Sequence, residues 1–275
     1  MRRNEGMALA RVVTAVALFT AAMLLVWAEP LRAVFVVVVT LFVWQGLREF
    51  YRLCAAKSVQ PETLLGGAGG AAITLSAVAG RFELTALALC LTALAACTLQ
   101  VLRGRLSIQD MSVSVFGLVY LGWFGAHAVL LHQAQDTGAG LVTYLLTIVA
   151  LTDSGAYLIG SWIGKHKLAP RVSPNKTWEG SVGGFVFALI AAAIFVGLRQ
   201  AFDWTVLPDW SLARYAGTAV VLSVIGQFGD LAESAMKRDA GVKDSGTIFP
   251  GHGGVLDRCD SYLFAAPVLY YLNSI

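Results

Sequence analysis

The chain has 275 residues, of which 57% are hydrophobic and only 13% charged, with a mean hydropathy of +0.69. So few charges cannot cover a water-facing surface of this size, which excludes a soluble domain and makes a bilayer the expected solvent. The net charge of +3 is scattered among loops and not gathered in a tail, so no nucleic-acid footprint is present.

In chain order, apolar stretches between charged or Gly/Pro punctuation predict helices at roughly 11–28, 33–50, 64–80, 84–102, 112–132, 140–163, 178–198, 212–237 and 256–275. Most reach the ~18 to 20 residues needed to cross about 30 Å of hydrocarbon. The expected fold is therefore all-α, a polytopic integral membrane protein with about nine transmembrane helices. Arg2, Arg3 and Arg11 before the first stretch imitate a secretory signal, but the number of later spans favours a retained first helix.

Alternating the loops of nine spans sorts the 20 Lys and Arg unevenly. Arg32, Arg81, Arg199 and Arg214 fall on one side and the other sixteen on the side of the N-terminus. By the positive-inside rule the N-terminus and the polar loops at 164–177 and 238–256 are cytoplasmic. Gly66 with Gly70, and Gly180 with Gly184, have the spacing that lets helices approach closely. Cys54, Cys90, Cys97 and Cys259 lack C-x-x-C spacing, so neither disulfide nor zinc is expected.

Residues 1–110 read as generic helices of unknown role, whereas 111–275 carries the polar chemistry. Asp153 comes first, 12 residues before Lys165, hence about 18 Å below the cytoplasmic end of its span. A carboxylate there costs roughly 2.5 to 3.5 kcal/mol, so it is expected to line a wet site or pin two helices. Next comes Ser173-Pro174-Asn175-Lys176-Thr177-Trp178-Glu179-Gly180. Here Ser173 is expected to cap a helix beginning at Pro174, with Lys176 in its first turn beside free N–H groups that attract phosphate.

The third segment runs from Gly229 to Ser261. Asp230, Glu233, Ser234 and Lys237 stand at i, i+3, i+4 and i+7, a single helical stripe. Asp257 and Asp260 share a face at the start of the last span. Three carboxylates at one membrane depth, beside Lys237, Arg238, Lys243 and Arg258, suit a hard cation such as Mg²⁺ in contact with phosphate. His252-Gly253-Gly254 lets backbone approach a ligand closely.

Ser234, Lys237-Arg238, Lys243-Asp244, His252-Gly253-Gly254 and Asp257-Arg258-Cys259-Asp260 together resemble the phosphatidate cytidylyltransferase (CDP-diacylglycerol synthase) signature in type, order and spacing. The segment at 173–180 and Gly229-Asp230-Leu231 are similar to two further motifs of that family, so the resemblance covers roughly 150–275. Cys259 departs from it, replacing a larger aliphatic residue, and so does Asn175, which removes one phosphate-binding cation.

The resemblance implies an enzyme that joins CTP and phosphatidic acid into CDP-diacylglycerol and pyrophosphate at the cytoplasmic side of a bacterial inner membrane, as a homodimer. It further implies catalytic Lys176, Asp230, Asp257 and Asp260, the three acids holding Mg²⁺ with room for a second, monovalent cation. Ser173, Lys176, Ser234, Lys237, Arg238, Lys243, Asp244, His252, Gly253, Gly254 and Arg258 would bind substrate, with Asp153 and Glu179 as accessory residues. Rival readings are a transferase for another lipid phosphate, such as an ether lipid, and a transporter with a mid-membrane acid.

Overall fold

A computed structural model describes residues 20–104, 107–249 and 253–275. After a helical stretch at 20–27, helix α1 spans Arg32–Ala55, α2 Thr63–Ser76 with a 3₁₀ turn to Ala79, and α3 Phe82–Leu102. Helix α4 is Ile108–His132, widened into a π turn over Leu118–Trp123, and α5 is Gly138–Ile163. Strands β1 (Lys167–Ala169) and β2 (Ser173–Thr177) follow, then α6 (Trp178–Phe202), α7 (Leu212–Asp239) and α8 (Leu256–Ser274).

The sequence of α1 includes the β-branched run Val36–Val39, which is a poor helix former in water. In hydrocarbon a helix satisfies every backbone group internally, so that composition still yields a helix. Three helices start on side-chain caps: Ser107 accepts from the Asp110 N–H, Thr177 from Gly180 and Ser211 from Arg214.

Six helices of the described residues are long and apolar enough to cross a membrane: α1 with its lead-in from Glu29, and α3 to α7. The chain is an all-α polytopic membrane protein in this sense. Helix α2 is shorter, and α8 carries Asp257, Arg258 and Asp260 in its opening turns. The stretch expected at 11–28 lies largely outside the described residues. The other eight expected helices fall within a few residues of α1 to α8.

One expectation fails locally. Ser173 does not cap a helix: Ser173–Thr177 is a strand paired antiparallel with Lys167–Ala169, and Thr177 is the cap. Thr177 carries a capping hydroxyl of the same kind four residues on, and Pro174 fits an extended strand as well as a first helical turn. Pairing with β1 settles the choice for Thr177, so Lys176 projects from a strand.

Helices α5 and α6 pack through glycines, as their spacing predicts. A Cβ on Gly180 would lie 2.7 Å from the Ala156 carbonyl, and one on Gly184 would lie 2.9 Å from that of Thr152. On the other side of the molecule Gly66 and Gly70 abut Tyr51 and Leu47 of α1. A compact apolar cluster of Val43, Leu47, Phe50, Tyr51, Tyr120, Leu121, Leu256 and Leu263 joins α1, α4 and α8.

Candidate active site

The charged residues gather at one end of the helices, where α1, α5 and α7 finish and α6 and α8 begin. Strand β2 delivers Lys176 to α7: its Nζ lies 2.6 Å from Asp230 Oδ2, with both side chains roughly one-quarter exposed. Ser234, one turn along α7, donates to Asp230 Oδ1 at 3.3 Å. Asp153 is exposed, and stands within electrostatic range of Asp230, Lys176 and Arg258. Asp260 on α8 accepts from its neighbour Ser261 N–H at 2.7 Å and shares the field of Asp230, Glu233 and Asp153. Three acids from three helices thus share one electrostatic field, with Lys176 acting on two of them, Asp230 and Asp153.

Beside them lies a more deeply buried layer. Glu233 is fully buried and paired with Lys237, whose Nζ also donates to Asp257 Oδ1 at 2.5 Å. Asp257 Oδ2 accepts from the Ser245 N–H (2.9 Å), the Ser245 hydroxyl (2.8 Å) and the Gly254 N–H (2.7 Å). Both oxygens of Asp257 are therefore used inside the protein. Gly253 has φ of +82°, and a Cβ there would collide with the Asp257 carboxylate, so this acid requires the first glycine of the motif's pair, while a Cβ on Gly254 would strike Glu49.

The remaining predicted residues divide by what they touch. Arg238 donates to the backbone carbonyls of Val172 (3.3 Å) and Val242 (3.0 Å), tying the hairpin turn to the following loop. Glu179 accepts from the Lys165 and His166 N–H groups and contacts His166 Nδ1 at 2.6 Å, closing the base of the hairpin. Lys243 and Asp244 are exposed, and Ser173 begins β2 opposite Ala169. His252 lies outside the described residues.

Two contributors escaped the sequence reading. Glu49, on α1, is fully buried and accepts from the Ser245 hydroxyl (3.1 Å) and the N–H groups of Val255 (3.1 Å) and Leu256 (2.9 Å). Its only signal was an acid beside Arg48 near the end of an apolar span. Tyr120, on the π turn of α4, has a buried hydroxyl without a partner among the described residues, in the field of Asp260, Glu233 and Asp230. No sequence signal marked it.

Among the described residues no three His, Cys, Asp or Glu side chains form a ready metal cage. Mg²⁺ is commonly held by only one or two carboxylates plus substrate phosphates, so for that ion the carboxylates are weighed singly. Asp257 has both oxygens filled by protein donors, Asp230 has Ser234 on one oxygen and Lys176 on the other, and Asp260 accepts from one backbone N–H, so a cation on Asp230 would take the place of the Lys176 ammonium.

Fold and site define a polytopic membrane protein with a cluster of mixed charge at one end of its helices. A sequence profile of the cytidylyltransferase family matches residues 9–275, and the chain belongs to that family. It is similar to the phosphatidate cytidylyltransferase of Bacillus subtilis (strain 168), 40% identical over 173 residues, 63% of this chain and 62% of that one. The enzyme of the same name from Staphylococcus aureus (strain COL) is 42% identical over 170 residues, 62% of each chain. The chain thus matches just over three-fifths of the length of these curated relatives, 62%.

Proposed function

We propose that the protein is a phosphatidate cytidylyltransferase, forming CDP-diacylglycerol and pyrophosphate from CTP and phosphatidic acid. Family membership and the names of its relatives support the reaction class. The observation that carries it to this chain is the 2.6 Å pair of Lys176 and Asp230, which joins two motifs distant in sequence at the place where Asp260 also arrives.

The chemistry is nucleotidyl transfer. An oxygen of the lipid phosphate forms a bond to the α-phosphorus of CTP while the bond to the β-phosphate oxygen breaks, and pyrophosphate leaves with the electron pair. Phosphatidate is already ionised near neutrality, so no general base is needed. The obstacle is repulsion between two polyanions, about 4 kcal/mol per pair of unit charges 4 Å apart at an effective dielectric of 20. Lys176 offsets it by contacting phosphate, and Lys243 and Arg258 add positive charge at the pocket. Lys237, held by Glu233 and Asp257, supports this field from within the protein.

Asp230 and Asp260 would hold Mg²⁺, which supplies charge neutralisation at the phosphates and orients them. Asp257 serves by fixing Lys237 and the loop before α8. In this reading the chain makes nine spans with its N-terminus in the cytoplasm and lies in the bacterial inner membrane. The pocket opens at the cytoplasmic headgroup level, so CTP arrives from water and lipid enters sideways. The family resemblance extends the reading to a homodimer.

Purified protein given CTP, Mg²⁺ and phosphatidate should yield CDP-diacylglycerol and pyrophosphate in equal amounts, with turnover abolished by chelation. Absence of any CDP-lipid would refute the assignment, and formation only from an ether-lipid phosphate would move it to the other substrate class.

A further inference from the structure

The reaction proposed above uses residues after 150, yet a carboxylate from α1 underlies its frame. Glu49 is 0% exposed, and burying an acid is costly unless donors replace water. Four donors do so. Oε1 accepts from Val255 N–H at 3.1 Å and Gln45 Nε2 at 3.0 Å, and Oε2 accepts from Leu256 N–H at 2.9 Å and lies 3.1 Å from the Ser245 hydroxyl. Val255 and Leu256 are the opening N–H groups of α8, which have no partner within the helix. Glu49 therefore caps, from a helix some two hundred residues earlier, the helix that carries Asp257 and Asp260.

The same carboxylate shapes the loop. The Ser245 hydroxyl has one proton and stands between Glu49 Oε2 and Asp257 Oδ2, 3.1 and 2.8 Å away. A Cβ on Gly246 would sit 2.6 Å from Glu49 Oε1, and one on Gly254 would strike Oε2. Residues 245–246 and 254–256 are thus folded over two acids, one from each part of the molecule.

We propose that Glu49 is a positioning residue for nucleotidyl transfer: it fixes the loop and the start of α8 so that Asp257 holds Lys237 and Asp260 faces Asp230. This gives an N-terminal helix a role in the chemistry without substrate contact. It rests on the proposed function for its kinetic readout alone.

The test compares wild type with Glu49→Gln and Gly246→Ala in purified full-length protein. Glutamine keeps the size but sets an amide N–H₂ against a backbone N–H. Alanine at 246 pushes the carboxylate aside and leaves its charge. Both should lower kcat at least about tenfold, and by more than KM for CTP rises, because geometry at the reacting atoms is lost. Hydrogen exchange should speed up by a similar factor at 241–249 and 253–256 while α5 and α6 stay protected. Wild-type kcat and loop protection in the variants would overturn the proposal. So would exchange accelerated equally in every helix, which marks a general structural pin. If Glu49→Gln fails to fold, Gly246→Ala decides by the same readouts. If the wild type makes no CDP-lipid, the proposed function falls, and the exchange comparison still judges the tether.

Discussion

Lys176 and Arg238 look alike in the sequence as basic residues of two motifs, and the structure separates them. Lys176 faces Asp230, whereas Arg238 spends its guanidinium on two backbone carbonyls. Lys176→Ala should therefore reduce kcat/KM by about 10² to 10³, the range for losing a preorganised donor at a charged transition state. Arg238→Ala should cost under about threefold, in line with an exposed contact. Steady-state assays of the two variants check both expectations. Asp257→Asn should act mainly on stability. Lys237 keeps Glu233, but the variant sets an amide against the Ser245 and Gly254 N–H groups, a loss of roughly 1 to 3 kcal/mol for buried donors left unpaired. A lowered midpoint of thermal unfolding in detergent measures it. The residue types at the site were legible because acids and lysines are rare in apolar spans. Their division into ligand-facing and frame-building was not, because it depends on which atoms of distant loops fill each carboxylate.

At the level of elements, the spans were legible because hydrocarbon demands length and apolarity more than any particular pattern. The hairpin was not. Its fate turned on whether Ser173 or Thr177 began α6, and cross-strand pairing with Lys167–Ala169 decided it. The consequence is chemical, since it is from the strand that Lys176 reaches Asp230 on α7. Close packing of α5 on α6 holds that arrangement, because α5 carries Asp153 and α6 follows directly from β2. Gly183→Leu would put a Cβ 2.5 Å from Ile159 side-chain atoms and force the helices apart. The expected cost is about 1 to 3 kcal/mol, typical of overpacking, seen as a lower unfolding midpoint together with reduced turnover.

For the whole molecule, the charge bias of the loops, read from sequence alone, carries the proposed orientation. A single cysteine replacing Arg171 should react with an impermeant maleimide in inside-out vesicles, and one replacing Asp203 only from the opposite face. Both positions are exposed at opposite ends of α6's neighbourhood, the first before it and the second after it. The long reach from Glu49 to Ser245, Val255 and Leu256 was beyond sequence reading, because one acid at the polar end of a helix does not name a partner 196 residues away. That link makes the N-terminal helices part of the same machine as the signature motifs. The central claim, attack of a lipid phosphate on the α-phosphorus of CTP, is tested most directly by isotope position. With phosphatidate and Mg²⁺, label from α-³²P CTP should appear in the lipid fraction, and label from γ-³²P CTP should leave only as pyrophosphate. Label from the γ position in lipid, or none from the α position, would contradict the account.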